Sequence, residues 1–349
     1  MHIEFYKQIK NSGRVSLFFI VFITTSITAC SEQSSSRLSN VFSGPIMGTE
    51  YKITVVSENH ISDDSLEMEL LGKMQRINSL MSTYLATSEI SAINQASSVE
   101  PIALSSETHQ VIELAQTIAQ LTGGAFDITV APVVDLWGFG PTGSIDKKPK
   151  EPVLEGLRDV VGYKNLLLEN NVLRKKHSET QIDLSAIAKG YAVDQVAEVL
   201  VARGYQDFLI DIGGELRASG LNVNNQSWRV GIEKPRLAGS IQHIVKLNNM
   251  AIATSGDYLN FVVLNDQRYS HTINPVSLSP VLHKLALVSV IDQNASRADA
   301  LATAIMVMGD EKGYEFAQAN DIAAYFVIRT NDEQFFNVKQ TSKFVQYSQ

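Results

Sequence analysis

The chain contains one cysteine, Cys30, so neither an internal disulfide nor a cysteine-based zinc cluster can hold it together. Its fold must rest on apolar burial, and the material is ample: 44% of the 349 residues are hydrophobic and 19% are charged. That composition excludes a disordered, collagen-like or coiled-coil body. The order of local patterns narrows the class further. Residues 51–56, 208–212, 228–233, 285–291, 323–328 and 335–339 have the β-branched, partly alternating character of strands. Helical spacing marks residues 65–80, 107–121, 185–203 and 295–308, and glycines stop the last three at 123, 204 and 309. Strands outnumber helices and often follow one another directly, which predicts an α+β fold over a doubly wound parallel sheet.

The position of the cysteine is informative in itself. Lys7, Lys10 and Arg14 precede an apolar run that ends in Ile27-Thr28-Ala29-Cys30. This is the layout of a secretory signal, and the run is too short and too rich in Thr near its end for a membrane span. Small residues directly before Cys30 resemble a bacterial lipobox, in which the signal is removed and the cysteine is lipidated. An ordinary signal peptide or an uncleaved anchor is the competing reading. The expectation is a signal over residues 1–29, a polar tether over 30–40 and a globular body over 41–349. The body would stand on the periplasmic side of a bacterial membrane, held by its lipid.

With 29 Lys and Arg against 37 Asp and Glu the net charge is −8. No basic run stands out, so a nucleic-acid-binding face is not expected. Gly138-Phe139-Gly140-Pro141-Thr142-Gly143 matches G-x-G-x-x-G, but Pro141 and the polar residues after it forbid the helix that a dinucleotide fold opens there. There is no G-x-S-x-G, Walker A or H-E-x-x-H motif, and the seven histidines are scattered. Any chemistry must come from carboxylates, hydroxyls and a hard metal.

Asp299 and Thr303 stand four apart, which stacks a carboxylate and a hydroxyl on one helical face. The pair is too small for calcium and suits Mg²⁺, which keeps waters and fills its shell with substrate phosphates. An exposed Asp favouring a helix N-terminus is the plainer reading. Residues 182–191 run from a strand end into a helix, with Asp183 or Ser185 as cap and Lys189 solvated, or with helix N–H groups and Lys189 facing phosphates. Gly190 inside that helix costs about 1 kcal/mol relative to Ala, so close approach of another group is expected. Residues 122–129 need only a glycine cap, although their small residues would also admit a planar ligand to backbone donors. A lone histidine at a strand end, such as His271, is ordinarily a satisfied structural residue.

Taken together these segments resemble one family. Met47-Gly48-Thr49, Met81-Ser82-Thr83-Tyr84 with Ser88-Glu89-Ile90, Gly123-Gly124-Ala125-Phe126-Asp127-Ile128-Thr129 and Asp183-Leu184-Ser185-Ala186-Ile187-Ala188-Lys189-Gly190-Tyr191 occur in its order. So do Asp211-Ile212-Gly213-Gly214, Ala253-Thr254-Ser255-Gly256, Ser270-His271-Thr272-Ile273-Asn274-Pro275 and Asp299-Ala300-Leu301-Ala302-Thr303. The chain is similar to ApbE-type FAD:protein FMN transferases, the flavin transferase lipoproteins of bacterial envelopes. The resemblance implies a single large domain of packed helices and mixed or antiparallel sheets. It implies Mg²⁺-dependent splitting of FAD, with FMN placed on a threonine of a partner protein and AMP released.

By position, Met47 and Tyr84 would flank the flavin nucleotide, and Ala125, Phe126 and Asp127 would line it. Asp183, Lys189 and Ile273 would contact FAD. The Ala186 carbonyl, Asp299 and Thr303 would hold the metal, and His271 would sit near the reacting phosphate, so that His271 and Asp299 carry the catalysis. Acceptors would be flavoprotein subunits of envelope redox complexes, which favours the inner membrane. Ser31, after the lipidated cysteine, lacks the aspartate of inner-membrane retention and leaves the outer membrane open. The family's run of Asp, Pro, basic residue, hydroxyl residue and Gly after the His-x-Ile is here Asn274-Pro275-Val276-Ser277-Leu278. A hydrolase yielding FMN and AMP, and a flavin binder without turnover, are the competing classes.

Overall fold

The computed structural model describes residues 37–62, 64–235, 240–258, 260–332 and 335–348; the signal, Cys30 and most of the tether lie outside them. The chain opens with β1 (Leu38–Ile46) and β2 (Thr49–Ser57), followed by α1 (Asp64–Met81), α2 (Glu89–Gln95), β3 (Ile102–Ala103) and α3 (Ser106–Leu121). Short helices α4 (Ala131–Leu136) and α5 (Glu151–Glu155) lead to β4 (Leu166–Glu169) and β5 (Val172–Lys175). Then come α6 (Ala188–Ala202), β6 (Asp207–Ile212), β7 (Glu215–Ser219), β8 (Trp228–Glu233), β9 (Ile241–Leu247) and β10 (Met250–Gly256). Two small hairpins, β11 (Phe261–Leu264) with β12 (Gln267–Ser270) and β13 (Ile273–Asn274) with β14 (Ser279–Pro280), precede β15 (Leu285–Asp292). The chain closes with α7 (Ala295–Met308), α8 (Asp310–Ala319), β16 (Ala323–Arg329) and β17 (Phe336–Gln340).

The α+β expectation holds. An eight-stranded sheet in the order β1-β2-β6-β7-β10-β15-β16-β17 is antiparallel throughout. Strand side chains alternate between faces, and the two sets have different partners. Ile53, Val55, Ala251, Ala253, Val288, Val290 and Phe326 pack with the helices, whereas Val56, Ile252, Leu287, Ile291, Tyr325 and Val327 pack with Trp228, Val230, Val245 and Leu247 of the β8–β9 hairpin. A third cluster, built on Val133, Trp137, Tyr269, Ile273 and Leu278, ties α4 to the small hairpins. No helix among the described residues is long and apolar enough to cross a membrane.

Several expected limits move. β1 begins at Leu38, three residues ahead of the expected start of the body at 41. The helix expected from Ser185 begins at Ala188, because residues 185–187 form a turn in which the Ile187 and Ala188 N–H groups both donate to the Leu184 carbonyl. The glycine stop at 309 holds, with Gly309 at φ 84°, but α8 starts immediately after it with Asp310 and Glu311 in its first turn. As expected, no helix opens within residues 138–143; Gly138 and Gly143 there adopt φ of 77° and 92°.

Candidate active site

The site is built where α6 meets α7. Asp194 of α6 accepts from the Ala295 and Ser296 N–H groups at 3.0 and 2.9 Å and from the Ser296 hydroxyl at 2.7 Å, capping α7 from its neighbour. Arg217 of β7 donates to the same carboxylate at 2.6 Å. One turn earlier the backbones touch: a Cβ on Gly190 would lie 2.4 Å from the Ala295 carbonyl oxygen. The close approach expected at Gly190 is therefore real. Gly190→Ala should lower stability by about 1–3 kcal/mol through overpacking, despite alanine's better helix propensity. Thermal melting checks this, and an unchanged melting temperature would show that the corner yields.

That contact frees polar groups. The Gly190 N–H donates to Asp299 Oδ2 at 3.2 Å and not to the Ala186 carbonyl, which a continuous helix would have used. Asp299 is buried on α7, in contrast to the exposed helix-end residue of the plainer reading. Burial pushes its carboxyl pKa up, against the nearby Lys189 and the Gly190 N–H. Nor is Lys189 a solvated lysine. Its Nζ lies 2.7 Å from Glu215 Oε2. Burial alone would lower its pKa, but the Glu215 and Asp299 carboxylates outweigh that and raise it. Burial pushes the Glu215 carboxyl upward in turn, with the Lys189 ammonium opposing and holding it as its ion-pair partner.

Turns at the end of the sheet bring more of the predicted residues to this corner. Met47 and Gly48 join β1 to β2 with φ of 48° and 73°, and Gly213 and Gly214 join β6 to β7 with 61° and 98°. Two positive φ values make each a tight hairpin turn. The turns abut: Gly213 N–H donates to the Glu50 carbonyl at 3.1 Å, and a Cβ there would strike Thr49. Met47 is half-buried against the helix-side core. Asp183 N–H donates to the Ile128 carbonyl at 2.7 Å, which sets the 122–129 segment beside it, and Asp183 Oδ1 receives the Ser185 N–H at 2.8 Å.

Tyr84 and His271 are linked through Phe139 and lie within electrostatic reach of Asp183 and Lys189 respectively. The Tyr84 ring is 66% exposed, and its hydroxyl donates to the Phe139 carbonyl at 3.1 Å. Burial of the hydroxyl and the charges of Asp183 and Asp135 raise its pKa. The Phe139 ring meets His271 edge-on at 6.4 Å. His271 Nδ1 lies 3.0 Å from the Asn260 carbonyl, which can only accept, so Nδ1 carries the proton and Nε2 is a free base. Burial lowers the His271 pKa; Asn260 and Asp257 oppose this, while Lys189 and Arg268 reinforce it. The imidazole is therefore neutral at pH 7 and lies within electrostatic reach of Lys189.

Other predicted residues turn inward. Phe126 is buried in the core, and Ile273 packs in the Trp137 cluster. Asp127 accepts from Thr129 N–H at 2.8 Å, Thr129 hydroxyl at 2.6 Å and Tyr163 N–H at 2.6 Å, so its carboxylate is committed to the fold. These positions, with half-buried Ala125, offer a ligand mainly their backbone. The departures at 274–278 keep a turn. Asn274 Oδ1 accepts from the Val276 and Ser277 N–H groups at 2.9 and 3.1 Å, as a carboxylate would. Leu278 takes the left-handed conformation at φ 53° and has its side chain buried, while its carbonyl receives Trp137 Nε1 at 3.1 Å.

The donors at the corner suit a hard cation held jointly with a ligand. They are one carboxylate, the Thr303 hydroxyl one turn along α7, and the Ala186 carbonyl released by Gly190. No group of three or more His, Cys, Asp or Glu that could hold a metal occurs among the described residues. A set this small fits Mg²⁺, whose shell waters and phosphates complete. Glu215 and Phe139 escaped the sequence reading. The hint for Glu215 was an acid directly after a Gly-Gly turn, at the start of a strand.

The chain is similar to known proteins in sequence and in fold. The ApbE family model matches residues 47–326. An FAD:protein FMN transferase of Vibrio cholerae is 42% identical over 292 residues, covering 83% of this chain and 87% of that protein. One from Haemophilus influenzae is 36% identical over 339 residues, covering 95% and 96%. Among solved structures, the flavin transferase ApbE from Vibrio cholerae superposes with a TM-score of 0.82 at 40% identity, over 89% of this chain and 99% of its own. The apo form of Pseudomonas stutzeri flavinyl transferase ApbE gives 0.82 at 36% identity, over 89% and 97%. The match spans most of the described body and the relatives align over nearly their whole length: the chain belongs to the ApbE family.

Proposed function

We propose that the protein transfers the FMN half of FAD to a threonine hydroxyl of an acceptor protein and releases AMP, with Mg²⁺ held by Asp299, Thr303 and the Ala186 carbonyl. The observation that carries the reading is His271, whose Nδ1 is held by the Asn260 carbonyl so that Nε2 remains a base within electrostatic reach of Lys189. Phosphoryl transfer asks for positioning and charge neutralisation more than covalent help. Mg²⁺, when bound, supplies positive charge to the pyrophosphate. Lys189 supplies more, and His271 Nε2 takes the threonine proton as the new P–O bond forms. The P–O bond to the adenylate half breaks, and AMP leaves with its electron pair. Met47 and exposed Tyr84 flank the flavin, backbone at 125–127 and Ile273 borders it, and Asp183 contacts FAD.

Incubating the protein with FAD, Mg²⁺ and a threonine-bearing acceptor domain tests this. Flavin fluorescence on the acceptor band is the expected result. Free FMN without a band means hydrolysis, and neither product means binding alone. The lipobox-like end at Cys30 supports a lipid anchor that holds the body on the periplasmic face, near inner-membrane redox acceptors. Cys30→Ser should abolish acylation, read by mass spectrometry; a wild-type protein that keeps residues 1–29 and carries no acyl chain would contradict the anchor.

A further inference from the structure

On the reading that Lys189 faces the pyrophosphate, we propose that Glu215 is a positioning residue: it anchors the Lys189 ammonium from behind, presents it to the phosphates and keeps it off Asp299. The side chains stand in that order from interior to opening. The Glu215 side chain is 3% exposed and the Lys189 side chain 30%, with 2.7 Å between carboxylate and ammonium. An ammonium carries three N–H donors, so one on Glu215 leaves others for a ligand.

Glu215 is fixed by backbone. It opens β7 directly after the Gly213–Gly214 turn, opposite Ile212 in the ladder, and that turn is pinned by the Gly214 N–H on Asp211 at 3.0 Å. Lys189, by contrast, hangs from a long flexible stem. Its other near carboxylate is Asp299, the group the metal needs. A lysine without Glu215 would turn there and neutralise it. Glu215 Oε2 has no well-formed hydrogen bond of its own, only the ammonium beside it. Burying a carboxylate is costly unless it is paired, and besides its own backbone N–H the charged partner of this one is Lys189. Its partner is the residue that meets the substrate.

The test measures FAD and riboflavin binding to the full chain by flavin fluorescence quenching, without divalent metal, for Glu215→Gln, Lys189→Ala and the double variant. Riboflavin lacks the phosphates. Glu215→Gln should weaken FAD binding about tenfold, the scale of one charge-assisted contact, and leave riboflavin unchanged. In the Lys189→Ala background it should cost nothing more. Glu215→Asp, which retracts the charge by one methylene, should fall between and serves if the glutamine variant melts early. Equal losses for both flavins, additive losses in the double variant, or tighter FAD binding by Glu215→Gln would each overturn the proposal. Lys189→Ala weakening both flavins alike would instead overturn the parent reading, which separates the two failures.

Discussion

Asp299→Asn should reduce acceptor flavinylation by about a thousandfold, because the only carboxylate of the proposed metal set loses its charge. The fold should not suffer. Asn can still accept the Gly190 N–H, and Lys189 keeps Glu215. Ionised Asp299 is a burden on the metal-free protein, since burial raises its folded pKa. The sign follows from linkage: the wild type has its full stability below the unfolded carboxyl pKa and loses it as pH rises through the raised folded value. The Asn variant lacks that loss and should melt at or above the wild-type temperature at neutral pH. Melting curves and flavinylation across a Mg²⁺ titration read both effects. A variant that flavinylates like wild type would remove Asp299 from the metal site.

His271→Gln should lower the transfer rate by about 10²–10⁴-fold while FAD binding persists, as for loss of a general base. In the wild type, burial keeps the imidazole neutral below its usual 6.5. The rate should therefore hold from neutral pH down past that value and fall only as pH drops through the depressed pKa. A rate–pH profile of the Gln variant should lose this acid limb. If the limb stays, another group is the base.

Much of this architecture was legible in the chain. The β-branched, partly alternating runs marked β2, β6, β8, β15 and β16 as strands, and Gly190 announced a close approach, which Ala295 makes. Local patterns could not assign depth. Asp299 looks like a helix-end residue until α7, rich in buried alanines, is seen packed between α6 and β10. Lys189 looks solvated until β7 delivers Glu215 from 26 residues away. Phe126 and Ile273 look like ligand contacts by position, yet their side chains pack in hydrophobic clusters, and the Asp127 carboxylate is taken by Thr129 and the Tyr163 N–H. Asn274 and Leu278 depart from the family pattern and still close their turn, one by an amide oxygen accepting two N–H groups, the other by a strained φ offset by burial.

Group transfer itself is tested most directly by counting products. With wild-type protein, FAD and Mg²⁺, AMP release should require the acceptor, and each AMP should match one FMN adduct on an acceptor threonine in the intact-mass spectrum. AMP and free FMN appearing at the same rate without acceptor would contradict the account and make the protein a hydrolase of FAD.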